Sequence, residues 1–130
     1  MGYYIGTILK DCSFEEAIKK VISALKDQGF GVLTEIDMKT TLKEKLQVDI
    51  KKYKILGACN PPFAYKALKA EDKIGTMLPC NVIVQEKENG EIEVAAVNPI
   101  VSMSAIENKE LEGIAKEVSD KLENMIHSLN

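Results

Sequence analysis

The chain has 130 residues, 45% of them hydrophobic and 28% charged, with 17 cationic side chains against 20 anionic ones. That profile belongs to one ordinary globular domain, residues 1–130, with a core of its own. A net charge of −3 with no arginine leaves neither a basic field for nucleic acid or an anionic membrane nor the planar fork that clamps phosphates and carboxylates.

Tyr3 to Leu9 alternate loosely and are rich in strand formers, which predicts a first strand. Ser13 and Glu16 have the spacing of a capping box. Behind them Phe14, Ala17, Ile18, Val21, Ile22 and Leu25 recur at helical spacing, and Gly29 stands where a left-handed residue closes a helix. From Phe30 the period becomes two. Phe30, Val32, Thr34, Ile36 and Met38 share one side, Gly31, Leu33, Glu35 and Asp37 the other, so a strand with one buried face is expected. Thr41 and Glu44 predict a short helical crossing that ends at Leu46. A strand follows over Val48 to Ala58, interrupted at Lys51-Lys52, then a helix from Pro61 to Ala70 with Ala64 and Leu68 facing inward. A loop from Glu71 to Gly75 leads into a strand over Met77 to Glu86. Asn89-Gly90 signals a hairpin that returns along Glu91 to Val97, and Asn98-Pro99 ends the sheet. After a connector through Ser104, Leu111, Ile114, Ala115, Val118, Leu122, Met125, Ile126 and Leu129 form the stripe of a long last helix. This order predicts an α+β fold, a mainly antiparallel sheet with helices packed on one face.

No secretory leader is visible, and no apolar run approaches the roughly 20 residues of a membrane span. Three cysteines fit a reducing compartment better than a disulfide scaffold. A cytoplasmic protein with no nucleic-acid or membrane partner is expected.

The densest run of position-specific residues is Ile55 to Leu68. An apolar strand meets Cys59, and Asn60-Pro61-Pro62 opens a helix, Asn60 as its N-cap and Pro61 at a position where a missing N–H costs nothing. The run from Met77 to Val84 repeats a Cys-Asn pair, Cys80-Asn81, beside a proline.

Four runs together resemble the domain of unknown function 302 family. They are Leu33-Thr34-Glu35-Ile36-Asp37, Thr41-Leu42-Lys43-Glu44-Lys45, Ile55-Leu56-Gly57-Ala58-Cys59-Asn60-Pro61-Pro62 and Leu78-Pro79-Cys80-Asn81-Val82. The resemblance covers essentially the whole chain. It implies a fold similar to the TATA-box-binding-protein class, a curved antiparallel sheet with one helix after the first strand and another at the end. It also implies a homodimer. No DNA-binding function comes with such a fold name. Members of that family often carry Asp-Pro near the end of the last strand, where this chain has Asn98-Pro99, so a ligand role for that carboxylate does not transfer.

Cys59 and Cys80 are the sharpest candidates for chemistry. If their strands pair antiparallel, the two thiols approach at one rim of the sheet, where two thiolates with further donors hold Zn²⁺ or Cu⁺, or form a redox disulfide. Their spacing of 21 positions matches no standard metal pattern, and the commoner use of free cysteine is as a small buried apolar residue. Cys12 is read as incidental. Asn60, Asn81 and Asn98 could line a polar pocket, although capping and satisfying backbone groups are their commoner roles. Glu35 and Asp37 share a side of their strand, yet solvated carboxylates need no function. Tyr53 and Tyr65 flank the central run and are read as packing residues. His127 near the C-terminus has no nucleophile beside it in sequence, and no Gly-rich nucleotide loop is present.

Three functions follow as expectations. The first is a non-enzymatic dimeric domain that binds a small ligand or a thiophilic metal near Cys59, Asn60, Cys80 and Asn81. The second is a thiol enzyme or sulfur carrier with Cys59 or Cys80 as nucleophile. The third is an interaction module working through its dimer surface, with Met125, Ile126 and Leu129 as part of the seam. The cofactor, if any, is unknown from sequence.

Overall fold

A computed structural model describes residues 2–130. In chain order these form β1 (Tyr4–Leu9), α1 (Phe14–Asp27), β2 (Gly31–Asp37), α2 (Met38–Leu46), β3 (Tyr53–Cys59), α3 (Pro61–Ala70), β4 (Cys80–Glu86), β5 (Ile92–Val97), α4 (Pro99–Ser102) and α5 (Lys109–Ser128). A 3-10 turn, Asp72–Met77, joins α3 to β4. The α+β architecture expected from the sequence is the one found.

Helix α1 begins and ends by local chemistry. Ser13 Oγ accepts the Glu16 N–H at 3.1 Å while the Ser13 N–H donates to Glu16 Oε1 at 3.1 Å, so two orphan donors of the first turn are satisfied reciprocally. At the other end Gly29 takes φ of 87°. Its N–H reaches the Lys26 carbonyl and the Phe30 N–H the Leu25 carbonyl, the paired bonds that close a helix on a left-handed residue. Phe30 is thereby folded back into the core.

The sheet runs β1-β5-β4-β3-β2, with every neighbouring pair antiparallel. Side chains alternate across it. Leu56, Val82, Val84, Val94 and Ala96 point to the helical side and meet Val21 and Leu25 of α1 and Leu122, Met125 and Ile126 of α5. A second apolar cluster, Ala67, Ile74, Met103, Leu111 and Ala115, joins α3, the 3-10 turn, the end of α4 and the first turns of α5. Helix α5 therefore serves two cores: its C-terminal half covers the sheet and its N-terminal half packs on α3.

Several sequence expectations are corrected. Strand β2 is not half-buried along its length. It is an edge strand, and a β-bulge at Leu33 places Val32 opposite Ala58 but Thr34 opposite Gly57. The extra residue inverts the alternation, so Val32 stays on the helical side while Thr34 and Ile36 turn to the uncovered face. Helix α2 starts at Met38 rather than Thr41, because the Asp37 carboxylate takes the Thr40 N–H at 3.0 Å and caps it. Strand β3 begins only at Tyr53, because residues 47–52 wrap back along α2, where Lys39 Nζ donates to the Ile50 carbonyl at 2.7 Å. On α3 it is Ala67, not Leu68, that is buried, Leu68 being 46% exposed; α3 packs on α5 and the 3-10 turn instead of the sheet, which rotates its inner side. The stripe of α5 is occupied within the monomer. Met125 and Ile126 are 0% and 1% exposed, packed within the monomer, while Leu129 is half-buried. Among the described residues no helix is long and apolar enough to cross a membrane.

Gly57, in the middle of β3, is where the sheet tolerates no side chain. A Cβ there would run into Thr34 Oγ1 and stand 2.7 Å from Pro79 Cγ. Gly57→Ala is expected to cost about 1–3 kcal/mol in urea unfolding through overpacking. Gly31→Ala on the neighbouring strand, with nothing within 4 Å of its Cβ, should stay within about 0.5 kcal/mol. Equal effects of the two would refute this account of Gly57.

Candidate functional site

The antiparallel register brings the two Cys-Asn junctions to one end of the sheet. Ala58 lies opposite Cys80, and Gly57 opposite Asn81. Alternation then separates the second pair: Cys80 turns to the helical side and is buried, while Asn81 turns to the uncovered face and is exposed. Cys59, the last residue of β3, stands opposite Gly31 of β2 and is half-buried.

Asn60 occupies the N-cap position of α3 with Pro61 behind it, but its side chain makes no capping bond. Its Nδ2 instead donates to the Gln28 carbonyl at 3.2 Å, directly beneath Gly29. The amide ties the end of α1 to the start of α3, a structural use different from the cap expected.

Between the two apolar clusters lies a cavity of about 260 Å³. Phe30, Ala58, Cys80 and Val118 wall it from the main cluster, Ala67, Met103 and Ala115 from the second, and Phe63, Leu78, Pro79 and Ile114 close the sides. Cys59 and Asn60 also line it, and at the rim the bulged Leu33 remains 68% exposed. Four alanines, Ala58, Ala64, Ala67 and Ala115, line the space, and the absence of larger side chains at those positions is what leaves it open. The volume exceeds the roughly 150 Å³ that accommodates benzene in an engineered cavity. It falls just short of the roughly 300 Å³ at which drug-sized sites begin.

Chemically the cavity is poor in polar groups: Cys59, Asn60 and Cys80 are set among aliphatic and aromatic walls that carry no His, Asp, Glu or Lys. Burial, assisted by the neighbouring Cys59, pushes the Cys80 thiol up to about 11. At neutral pH it is a thiol, and only a thiolate attacks or ligates well. Among the described residues no group of three or more His, Cys, Asp or Glu is placed to hold a metal ion, so the two cysteines have no third donor of that kind.

The other sequence candidates lie elsewhere. Glu35 pairs with Lys54 at 3.4 Å and Asp37 caps α2, where the Thr40 N–H holds its carboxyl below the usual range; they make no carboxylate pair. Tyr53 faces the uncovered side of the sheet, and burial raises its phenol. Tyr65 is 65% exposed on the outer side of α3. Cys12 packs at the margin of the main core. Asn98 is a buried strut, accepting the Ile100 N–H and the Ser119 hydroxyl, each at 3.2 Å, and donating to the Gly2 carbonyl at 3.2 Å. Sequence reasoning missed Phe30, Phe63, Met103, Ile114 and Val118. Where such residues sit in a helix or strand, their spacing marks an inward side but carries no sign of whether a side chain fills space or borders it. Met103 lies in the connector between α4 and α5, outside any periodic element.

The family model described as "Domain of unknown function DUF302" matches residues 6–129. The fold is similar to the crystal structure of an uncharacterized conserved protein DUF302 from Bacillus stearothermophilus, with a TM-score of 0.92 at 24% identity over 100% of both chains. No protein of curated function matches.

The pH behaviour of Cys80 gives a test. Its thiol ionises near 9.0 when unfolded and near 11 when folded. The stability this contributes is complete below pH 9, is lost as pH rises through 11, and amounts to roughly 2–3 kcal/mol. Urea unfolding between pH 9 and 11 should show the wild type losing about 2–3 kcal/mol more than Cys80→Ala, the alkaline loss from Tyr53 being common to both. Peptide-mapped alkylation should leave Cys80 unlabelled at pH 8. Labelling there at the rate of a free thiol would contradict the assignment.

Proposed function

This chain belongs to the DUF302 family, and we propose that it is a binding protein for a small apolar molecule held in the cavity at the β3–β4 end of the sheet. One observation carries the reading: a preformed space of about 260 Å³ with almost wholly apolar walls, bordered by Cys59, Asn60 and Cys80. Apolar walls that face an open-sided pocket make fewer dispersion contacts than packed ones, and a guest of matching shape supplies them while withdrawing the walls from water. The thiols act as soft lining groups. Thiol catalysis is less well supported, because Cys80 keeps its proton and no general base lines the cavity. Thiolate ligation of a metal meets the same objection at Cys80.

A dimer is a second reading, and its support is the uncovered face of the sheet. Such a face is commonly polar, yet Tyr4, Ile36, Ile55, Ile83 and Val97 lie on it, with Tyr4 and Ile36 49% and 45% exposed. Five strands spaced about 4.8 Å apart, each about 20 Å long, give a face of roughly 480 Å². Two copies face to face would bury about 1,000 Å², the threshold for a specific interface, and a sheet face meeting its own copy satisfies two-fold symmetry.

Two experiments test these readings. Titration with indole or 1-octanol should give saturable amide shifts confined to cavity residues, and Ala64→Phe, filling the space, should stay folded by circular dichroism and lose them. Shifts that are absent or scattered over the surface would reject the cavity as a site. In sedimentation equilibrium the wild type should be dimeric and a folded Ile83→Lys monomeric. A wild-type monomer at about 100 µM, where any dimer of micromolar or tighter Kd would be populated, would reject the face as a dimer seam.

A further inference from the structure

We infer that the ligand of the cavity is an amphiphile, a medium-chain carboxylate whose tail fills the cavity and whose head lies against Lys66 and Lys121. This rests on the cavity being a ligand site and adds the chemical class of the occupant. The geometry that points to it is the setting of Phe63. One wall of the cavity is its ring, and two ammonium groups from different helices stand over that ring, Lys66 Nζ of α3 at 5.4 Å from the centroid and Lys121 Nζ of α5 at 5.9 Å. The ring face attracts and holds both cations.

Neither lysine is engaged by a carboxylate. The ion pairs among the described residues use Lys43, Lys52, Lys54, Lys73, Lys87 and Lys116. Lys66 also borders a shallow groove between α3 and α5 that carries Lys69, Lys109, Glu110 and Glu117, so cations exceed anions there. Ile114 lines both the groove and the cavity. Through Ile114 and the Phe63 ring the apolar space adjoins a margin of three lysines and two glutamates, with Lys121 on the far helix. A molecule long enough to leave the cavity past Ile114 and Phe63 meets positive charge at its exposed end, and the charge complementary to two unpaired ammoniums is an anion. The cavity volume suits a medium chain rather than a whole lipid, which belongs in sites above roughly 300 Å³.

The test compares octanoate with 1-octanol, equal in tail and different in head, by calorimetric titration of the wild type and of Lys66→Gln/Lys121→Gln. The expected result is octanoate bound about three- to tenfold more tightly than the alcohol, as for partly exposed charge pairs. That preference should shrink at high salt and fall to about one in the double variant, whose octanol binding reports whether the cavity is intact. Equal affinities in the wild type, or a preference unchanged in the variant, overturn the head-group assignment while leaving the cavity a ligand site. Failure of both compounds to bind overturns the cavity reading and this one together.

Discussion

One-sided burial governs this molecule. A five-stranded antiparallel sheet offers two faces, and the helices cover one. Helix α1 and the C-terminal half of α5 supply that cover through Val21, Leu25, Leu122, Met125 and Ile126, each worth about 1.5–3 kcal/mol when fully withdrawn from water. The N-terminal half of α5 packs instead on α3 and the 3-10 turn. At the point where α5 passes from one core to the other, neither core fills the gap. The cavity lies there, and its alanine lining follows from the same change of partners.

Polar struts hold the divergence in place. Asn60 joins the end of α1 to the start of α3 through the Gln28 carbonyl. Asn98 joins the end of β5, the first turn of α4, Ser119 of α5 and the chain near Gly2. Asn108, the N-cap of α5, takes the Leu111 N–H and donates to the Ala70 carbonyl at 2.7 Å, closing α3 onto α5. Buried amides need partners; Asn60 and Asn98, both buried, and the half-buried Asn108 find theirs on elements far apart in sequence. The cavity walls are therefore positioned by hydrogen bonds as well as packing. A pocket held in shape by its frame is better suited to a guest than one left by loose packing, because less ordering remains to be done on binding.

Position also separates the two thiols in character. Cys80 lies under the helices, keeps its proton and acts as an apolar wall. Cys59 ends its strand and is half-buried beside Asn60. Sequence neighbours that look alike, Cys59-Asn60 and Cys80-Asn81, end in different surroundings because one pair sits at a strand end and the other at a strand start.

Features that depend on near neighbours were legible in the chain itself. The Ser13–Glu16 box, the left-handed Gly29, the start of α3 at Pro61 and the Asn89-Gly90 turn are each set by a few consecutive residues. The α+β order and the long apolar stripe of α5 follow from periodicity, which reports how a residue faces within its own element. Periodicity failed at β2, because one extra residue at Leu33 reverses every later side chain and only the pairing with β3 reveals the bulge. It failed again at α3, whose inner side is chosen by α5 and not by its own pattern. For the site, sequence singled out Cys59, Asn60 and Cys80, whereas the cavity they border, the exclusion of Asn81 to the other face and the placing of Lys66 and Lys121 around Phe63 were decided by tertiary structure alone. The physical reason is that a cavity is the space between elements, and no element encodes the distance to its neighbour.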